Sequence, residues 1–240
     1  MKGFEKWDKH KIGDVEWIRK HKSHPHRNHF IDYAIANDSI TSILEIGGGE
    51  LMEAKVIIKK NDNIRYTVAD VSSSFLKHAK KRGIKRVEAS MHKLPFKDNQ
   101  FDLVYLSSVI EHSPDIKKTI KEICRVSKSY YITMFKWRMI SGGLTPLWKD
   151  ANESASVRYK ERKINKNMTK RYYSTYFNLP SLIELLKKHS TIEDMNVSIE
   201  SDSDTMSYER YKKNIIMKAD IWRCGDRLNI IGSCNTNELQ

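Results

Sequence analysis

One stretch constrains this chain more than any other: Ile43-Leu44-Glu45-Ile46-Gly47-Gly48-Gly49-Glu50. A branched apolar run carries an acid, breaks on three glycines and meets a second acid. Ser42 to Ile46 predicts a short buried strand. The glycines predict the tight turn out of it, and Leu51 onward predicts a helix. Glycine serves such a turn because it tolerates positive φ and, with no Cβ, lets a ligand come close to the backbone. The N–H groups at the helix start then offer donors. An ordinary strand–turn–helix corner has the same pattern, so other residues must decide between the two.

The dinucleotide pattern G-x-G-x-x-G is met at Gly47 and Gly49 but fails at Met52. Glu50 stands where a pyrophosphate would lie. An acid on each side of the turn suits a ligand whose tail is cationic and free of phosphate. S-adenosylmethionine, with its ammonium and sulfonium, has such a tail. Asn63 to Ala69 predicts a second strand ending at Asp70, which lies 21 residues beyond Gly49. A carboxylate there is placed to accept from both ribose hydroxyls. It would equally cap a helix begun by Ser72, Ser73 and Ser74.

Further along, Phe75 to Arg82 reads as a helix stopped by Gly83, and Ile84 to Ala89 as a third strand. Leu94-Pro95-Phe96 is a rigid apolar turn. Phe101 to Leu106 is apolar on both faces, as a buried parallel strand is. Pro114-Asp115 starts a helix whose Ile116, Ile120 and Ile123 form one stripe. Tyr130 to Phe135 predicts strand five, Asn178 to His189 a helix, Met195 to Ile199 strand six and Leu228 to Ser233 strand seven. Asn214 to Ala219 is a candidate extra edge strand, and Trp222 a candidate residue packed under the sheet.

Taken together, these pieces resemble the class I S-adenosylmethionine-dependent methyltransferases, of the small-molecule type found in quinone biosynthesis and natural-product tailoring. The residues that carry the likeness are Leu44-Glu45-Ile46-Gly47-Gly48-Gly49, Val68-Ala69-Asp70, Leu94-Pro95-Phe96 with Phe101-Asp102-Leu103-Val104, and Val109-Ile110-Glu111-His112. Their order and spacing agree over about residues 40–135. The resemblance implies an α/β fold, a doubly wound, mostly parallel sheet of seven strands, Rossmann-like, with strand seven antiparallel. It implies that Glu45 orients the cofactor's ammonium, Gly47, Gly48 and Gly49 admit its tail, Asp70 holds the ribose and Val71 lies against adenine. Met91 and His92 line the adenine edge. Ser90 replaces the acid that many members carry there. Ser107 and Ser108 lie beside the methyl donor. His112 is the candidate general base, since an oxygen acceptor must lose a proton and imidazole titrates near neutrality. A helix cap is the alternative role for His112, and His26 and His29 are lesser candidate bases. An acceptor that needs no base is also compatible.

Residues 1–35 read as an N-terminal cover over the cofactor site, with Arg27 meeting a carboxylate, and 36–240 as the cofactor-binding domain. A weak helix over Val15 to His21 and a helical face of Phe30, Tyr33 and Ala34 belong to the cover. Five of the nine histidines fall between His10 and His29, yet no cysteine or acid cluster completes a metal set. About residues 137–176 form an insert after strand five that covers the acceptor. Seven cations against Glu161 lie between Arg158 and Arg171, with Tyr159, Tyr172, Tyr173 and Tyr176 beside them. Such a stretch is a solvated face, a wall for an anionic acceptor, or a nucleic-acid track. The net charge of +13 favours anionic partners in general. Sparse cysteines (Cys124, Cys224 and Cys234), no leader-like start and no apolar run of membrane length predict a cytoplasmic protein. The expected activity is methyl transfer to an oxygen or nitrogen of a small or conjugated acceptor. An RNA or protein methyltransferase, or a cofactor-binding protein without turnover, are the alternatives.

Overall fold

The first element described in the computed structural model is a helix, α1 (Pro25–Ala36), and the last is a strand that completes the main sheet. Residues 25–48, 51–73, 76, 84–134, 137–138, 156–157, 160–165, 168–172, 175–198, 205–207 and 227–235 are described. After α1 come β1 (Ser42–Ile46), α2 (Met52–Lys60), β2 (Arg65–Asp70), β3 (Lys85–Glu88), β4 (Phe101–Ser107), a 3₁₀ turn (Ile110–His112), α3 (Ile116–Val126) and β5 (Ser127–Met134). Five short strands follow: β6 (Trp137–Arg138), β7 (Ser156–Val157), β8 (Lys160–Asn165), β9 (Met168–Tyr172) and β10 (Thr175–Asn178). Then come α4 (Leu179–Lys187), β11 (Ser190–Ser198), β12 (Thr205–Ser207) and β13 (Arg227–Cys234).

The main sheet has the order β12-β11-β13-β5-β4-β1-β2-β3. Strands β1 to β5 pair in parallel, and β13 is antiparallel to both β5 and β11. The seven expected strands are therefore present, with strand seven reversed. The three-residue β12 adds an eighth at the edge. The edge strand expected at Asn214 to Ala219, Trp222, the helix at Val15 to His21 and all but Leu76 of that at Phe75 to Arg82 lie outside the described residues.

Each face of the sheet buries its own apolar cluster. Leu44, Leu106, Ile120, Ile132 and Leu182 belong to the face under α3 and α4. Ile43, Leu103, Phe30, Ala54 and Ile57 belong to the face under α1 and α2. In α1, Phe30 stacks on Tyr105 with ring centroids 3.5 Å apart. The expected stripe of α3 is buried, with Ile116, Ile120 and Ile123 each 1% exposed. Asp115 caps it, accepting from Lys118 N at 3.1 Å. Strand five starts earlier than Tyr130 because helix and strand share a joint. Ser127 donates its hydroxyl to Ile123 O at 2.8 Å, ending the helix where the strand begins.

The loop before β4 is held by Arg125. Its guanidinium donates to Leu94 O, Phe96 O, Asp98 and both oxygens of Glu122, all within 2.9 Å. Glu122 also accepts from Leu94 N. Arg125→Ala leaves two carbonyls and two acids without this donor. It is expected to cost about 2–3 kcal/mol, lowering Tm by roughly 5–10 °C for a chain of this size, measurable by thermal melts. A Tm within a degree of wild type would contradict it. Asp102, part of the recognised motif, is likewise structural. Burial raises its pKa, but hydrogen bonds from Lys128, Ser42 and Thr41 outweigh that and hold it well below the usual carboxylate range.

Candidate active site

The glycine turn is as tight as its sequence requires. Gly47 has φ +70° and donates to Ala69 O at 2.8 Å. A Cβ on it would sit 2.6 Å from Val109 Cγ2, so no other residue fits without displacing the 3₁₀ segment. A Cβ on Gly48 would lie 2.9 Å from Glu45 Cδ, which places that carboxylate directly against the turn. Leu51 takes the left-handed conformation, φ 58°, to enter α2. Gly49 and Glu50 lie outside the described residues.

Glu45 is 2% exposed, and Tyr66 donates its hydroxyl to Glu45 Oε2 at 3.0 Å. A second acid, Glu53 of α2, is also buried. Tyr105 donates to Glu53 Oε1 at 3.4 Å, and Arg27 Nε lies 3.5 Å from the same oxygen. Burial is the largest cause holding the Glu45 pKa well above the ordinary value, followed by the charge of Glu53. The Tyr66 hydrogen bond and Arg27 oppose the rise, and Asp70 adds to it. Arg27, expected from sequence to bind the cofactor, lies against Glu53.

Asp70 ends β2, beside β1, and the register Ile46↔Ala69 sets it level with Gly47. It is buried, and its Oδ1 accepts from Ser72 N at 2.8 Å. A capping contact is thus present at this acid. Glu45, Tyr66 and Asp70 all belong to the face covered by α1, because side chains alternate along a strand.

The remaining expected residues fall around the same edge. Val71 packs against the apolar cluster under α3, and Met91 is buried in it. Ser90 Oγ accepts from His92 N at 3.2 Å. The His92 ring turns to Ser113, Nε2 to Oγ 3.0 Å, and burial lowers its pKa. Ser107 closes β4 and Ser108 follows with φ 55°. Ser108 N donates to Thr133 O. His112 ends the 3₁₀ turn, half-buried, its N–H donating to Val109 O at 2.9 Å. His29 is joined to the Tyr131 hydroxyl through Nδ1. The side chain of His26 lies outside what is described.

Four residues of this edge were not singled out by sequence: Glu53, Tyr66, Tyr105 and Arg227. Arg227 begins β13, is 8% exposed and donates Nη1 to Ser108 Oγ at 2.6 Å.

A methyltransferase-domain family profile matches residues 44–130, which contain the turn, both strand-end acids and β4. Residues 44–130 thus carry a methyltransferase domain, of the class I S-adenosylmethionine-dependent kind. A ubiquinone/menaquinone biosynthesis C-methyltransferase UbiE from Rickettsia massiliae is 34% identical over 128 residues, 50% of this chain and 47% of that protein. The chain thus spans about half the length of that relative. An S-adenosylmethionine-dependent methyltransferase from Thermotoga maritima has a TM-score of 0.58 at 16% identity, covering 93% of this chain and 96% of its own. The N-terminal domain of EvdMO1 with S-adenosylhomocysteine bound has a TM-score of 0.54 at 14% identity, covering 88% and 81%. At these identities the structures show a shared fold.

S-adenosylmethionine is the cofactor of this family, and the residues fit it. The turn has no room for a side chain at Gly47 or Gly48. Two buried acids stand by the turn where a cationic tail would end. Arg27 Nε, buried, makes no hydrogen bond among the described residues, leaving a donor suited to the tail's carboxylate.

Proposed function

We propose that this protein transfers a methyl group from S-adenosylmethionine to a small acceptor. The observation that carries the reading is the shared corner of Glu45 and Asp70, buried at the ends of adjacent parallel strands around a side-chain-free turn. When bound, the cofactor supplies an electrophilic methyl on a sulfonium. Glu45 and Glu53 orient the ammonium, with Arg27 on the tail carboxylate. Asp70 holds the ribose. Val71, Ser90, Met91 and the backbone of His92 line the adenine. Ser107 and Ser108 flank the transferred group, and His112 takes the acceptor's proton. Of the expected cover over the cofactor, residues 1–35, only α1 is described, and most of the expected acceptor cover, 137–176, lies outside the described residues.

The expected acceptor atom was oxygen or nitrogen, whereas the UbiE relatives are named C-methyltransferases. A phenol or enol reconciles these, because its anion is nucleophilic at both oxygen and carbon. Transfer works by position: reacting atoms held near 3–3.5 Å and aligned supply several kcal/mol of rate enhancement. Calorimetry with S-adenosylhomocysteine, followed by tritiated-methyl transfer into fractionated cell extract, tests the reading. A wild-type protein that binds no S-adenosylhomocysteine sinks it.

A second reading draws on β8 and β9, which pair antiparallel with Arg162 opposite Lys170. A hairpin whose sequence is this rich in lysine and arginine attracts polyanions. If this hairpin docks RNA, binding to a generic RNA hairpin falls steeply with salt and vanishes when Lys160, Arg162 and Lys170 are neutralised. For the small-acceptor reading, RNA binding stays weak and the triple variant leaves it unchanged.

A further inference from the structure

The segment that follows β4 touches both halves of the cofactor corner. One end meets the glycine turn: a Cβ added to Gly47 would lie 2.6 Å and 2.8 Å from the two methyl groups of Val109. The other end meets the turn expected to line adenine. That turn, Ser90 to Lys93, is closed by Lys93 N donating to Ser90 O at 3.0 Å and His92 N donating to Ser90 Oγ at 3.2 Å. From it the His92 ring reaches Ser113, with Nε2 and Oγ 3.0 Å apart. Between the two ends lies His112, in a 3₁₀ turn held by His112 N donating to Val109 O at 2.9 Å and Ser113 N donating to Ile110 O at 3.0 Å.

The hydrogens available fix the direction of the His92 bond. Thr119 gives its one hydroxyl hydrogen to Asp115 O, at 3.2 Å. It therefore accepts from Ser113 Oγ, 2.8 Å away. Ser113 has no second hydrogen to give, so its oxygen accepts from Asp115 N at 3.2 Å and from His92 Nε2–H. Burial lowers the His92 pKa against the opposing charge of Asp115, which keeps the ring neutral near neutral pH. Ser113 is 3% exposed and Thr119 0%, so this relay is anchored in the buried first turns of α3.

We propose that His92 is a positioning residue: through Ser113 it couples occupancy of the adenine turn to the setting of the 109–113 segment, and so of His112 on the acceptor side. This role rests on the methyl-transfer reading and deepens it, since the candidate base is then set in place only when the cofactor is bound. A 3₁₀ turn of three residues has poor hydrogen-bond geometry and little rigidity of its own. A cofactor fixes the segment from both ends, with its tail against the turn that Val109 packs on and its adenine against the turn that His92 leaves. The strength of that coupling is the difference the ligand makes to the stability of the segment.

Hydrogen exchange by mass spectrometry on the whole protein, with and without saturating S-adenosylhomocysteine, reads this difference. In wild type the ligand is expected to slow exchange at the His112 and Ser113 amides by about ten-fold or more, equal to ~1.4 kcal/mol. His92→Ala is expected to cut that slowing to less than about three-fold, while the peptide over β1 and Gly47 still gains protection from the ligand. His92→Gln, whose amide N–H donates where Nε2–H does, keeps the slowing. A bond that is merely structural would speed exchange equally with and without ligand and leave their ratio unchanged. Should His92→Ala fail to fold, Ser113→Ala decides from the other end of the bond: loss of the slowing supports the proposal and retention overturns it. A ratio that survives His92→Ala, that is absent in wild type or that His92→Gln does not keep also overturns it. Failure of wild type to bind S-adenosylhomocysteine would instead remove the methyl-transfer reading beneath it.

Discussion

Asp70→Ala is expected to weaken S-adenosylhomocysteine binding about 100-fold, equal to ~2.7 kcal/mol. In the proposed role the carboxylate at the end of β2 would accept from two ribose hydroxyls, and each hydrogen bond to a charged group contributes about 1.5–3 kcal/mol. Asp70 is already fixed for this work. Its Oδ1 accepts from Ser72 N at 2.8 Å, so little rotamer entropy remains to be lost on binding. The same contact gives the variant a separate stability cost of about 1 kcal/mol. Asp70→Asn separates the two effects, because its side-chain oxygen still accepts from Ser72 N while the charge is gone. It should recover most of the stability and little of the affinity. Calorimetry for binding and thermal melts for stability read these outcomes independently. An Asp70→Ala protein that binds within about three-fold of wild type would show that this acid is a cap and nothing more.

The features legible in the sequence are those set by local chemistry. Three glycines after a branched run forced a turn, and Gly47 takes the positive φ that the turn demands. An acid at the expected distance from the turn ends β2. Isoleucines at helical spacing after Pro114-Asp115 form the buried stripe of α3. What remained hidden depends on partners distant in the chain. Arg227 meets Ser108 across 119 positions, and only the pairing of β13 with β5 brings them together. Tyr66 reaches Glu45 only through the register of β1 on β2. Glu53 carried a usable signal: a second acid in the first turn of the helix after the glycines, where no phosphate is to be bound. The strands β8 and β9 were missed for another reason. Their residues are mostly lysine, arginine, glutamate and asparagine, of which lysine, glutamate and asparagine are depleted in strands. The ladder there owes little to intrinsic preference.

With Glu45 holding the ammonium as proposed, cofactor binding depends on pH, and the sign follows from the surroundings of this acid. In the protein without ligand, burial and the nearby Glu53 raise its folded pKa well above the ordinary carboxylate value. An acid with a raised folded pKa contributes stability that is present below its unfolded pKa and is lost as pH rises through the folded one. The ligand-free protein should therefore lose stability as pH climbs from the ordinary carboxylate range through the raised value. An ammonium arriving beside Glu45 and Glu53 reverses the balance by favouring the charged form. Binding of S-adenosylhomocysteine, which keeps that ammonium, then releases a proton. The release appears as a calorimetric enthalpy that varies with the ionisation enthalpy of the buffer. Glu45→Gln keeps an acceptor near Tyr66 but has no charge to offer. It should flatten the pH dependence of ligand-free stability, abolish the proton release and lower affinity by about 30-fold or more, ~2 kcal/mol. The decisive comparison is the thermal stabilisation given by S-adenosylhomocysteine near pH 8 and near pH 5.5. Wild type should gain more at the higher pH and Glu45→Gln about the same at both, while an equal gain in wild type would remove Glu45 from the ammonium site.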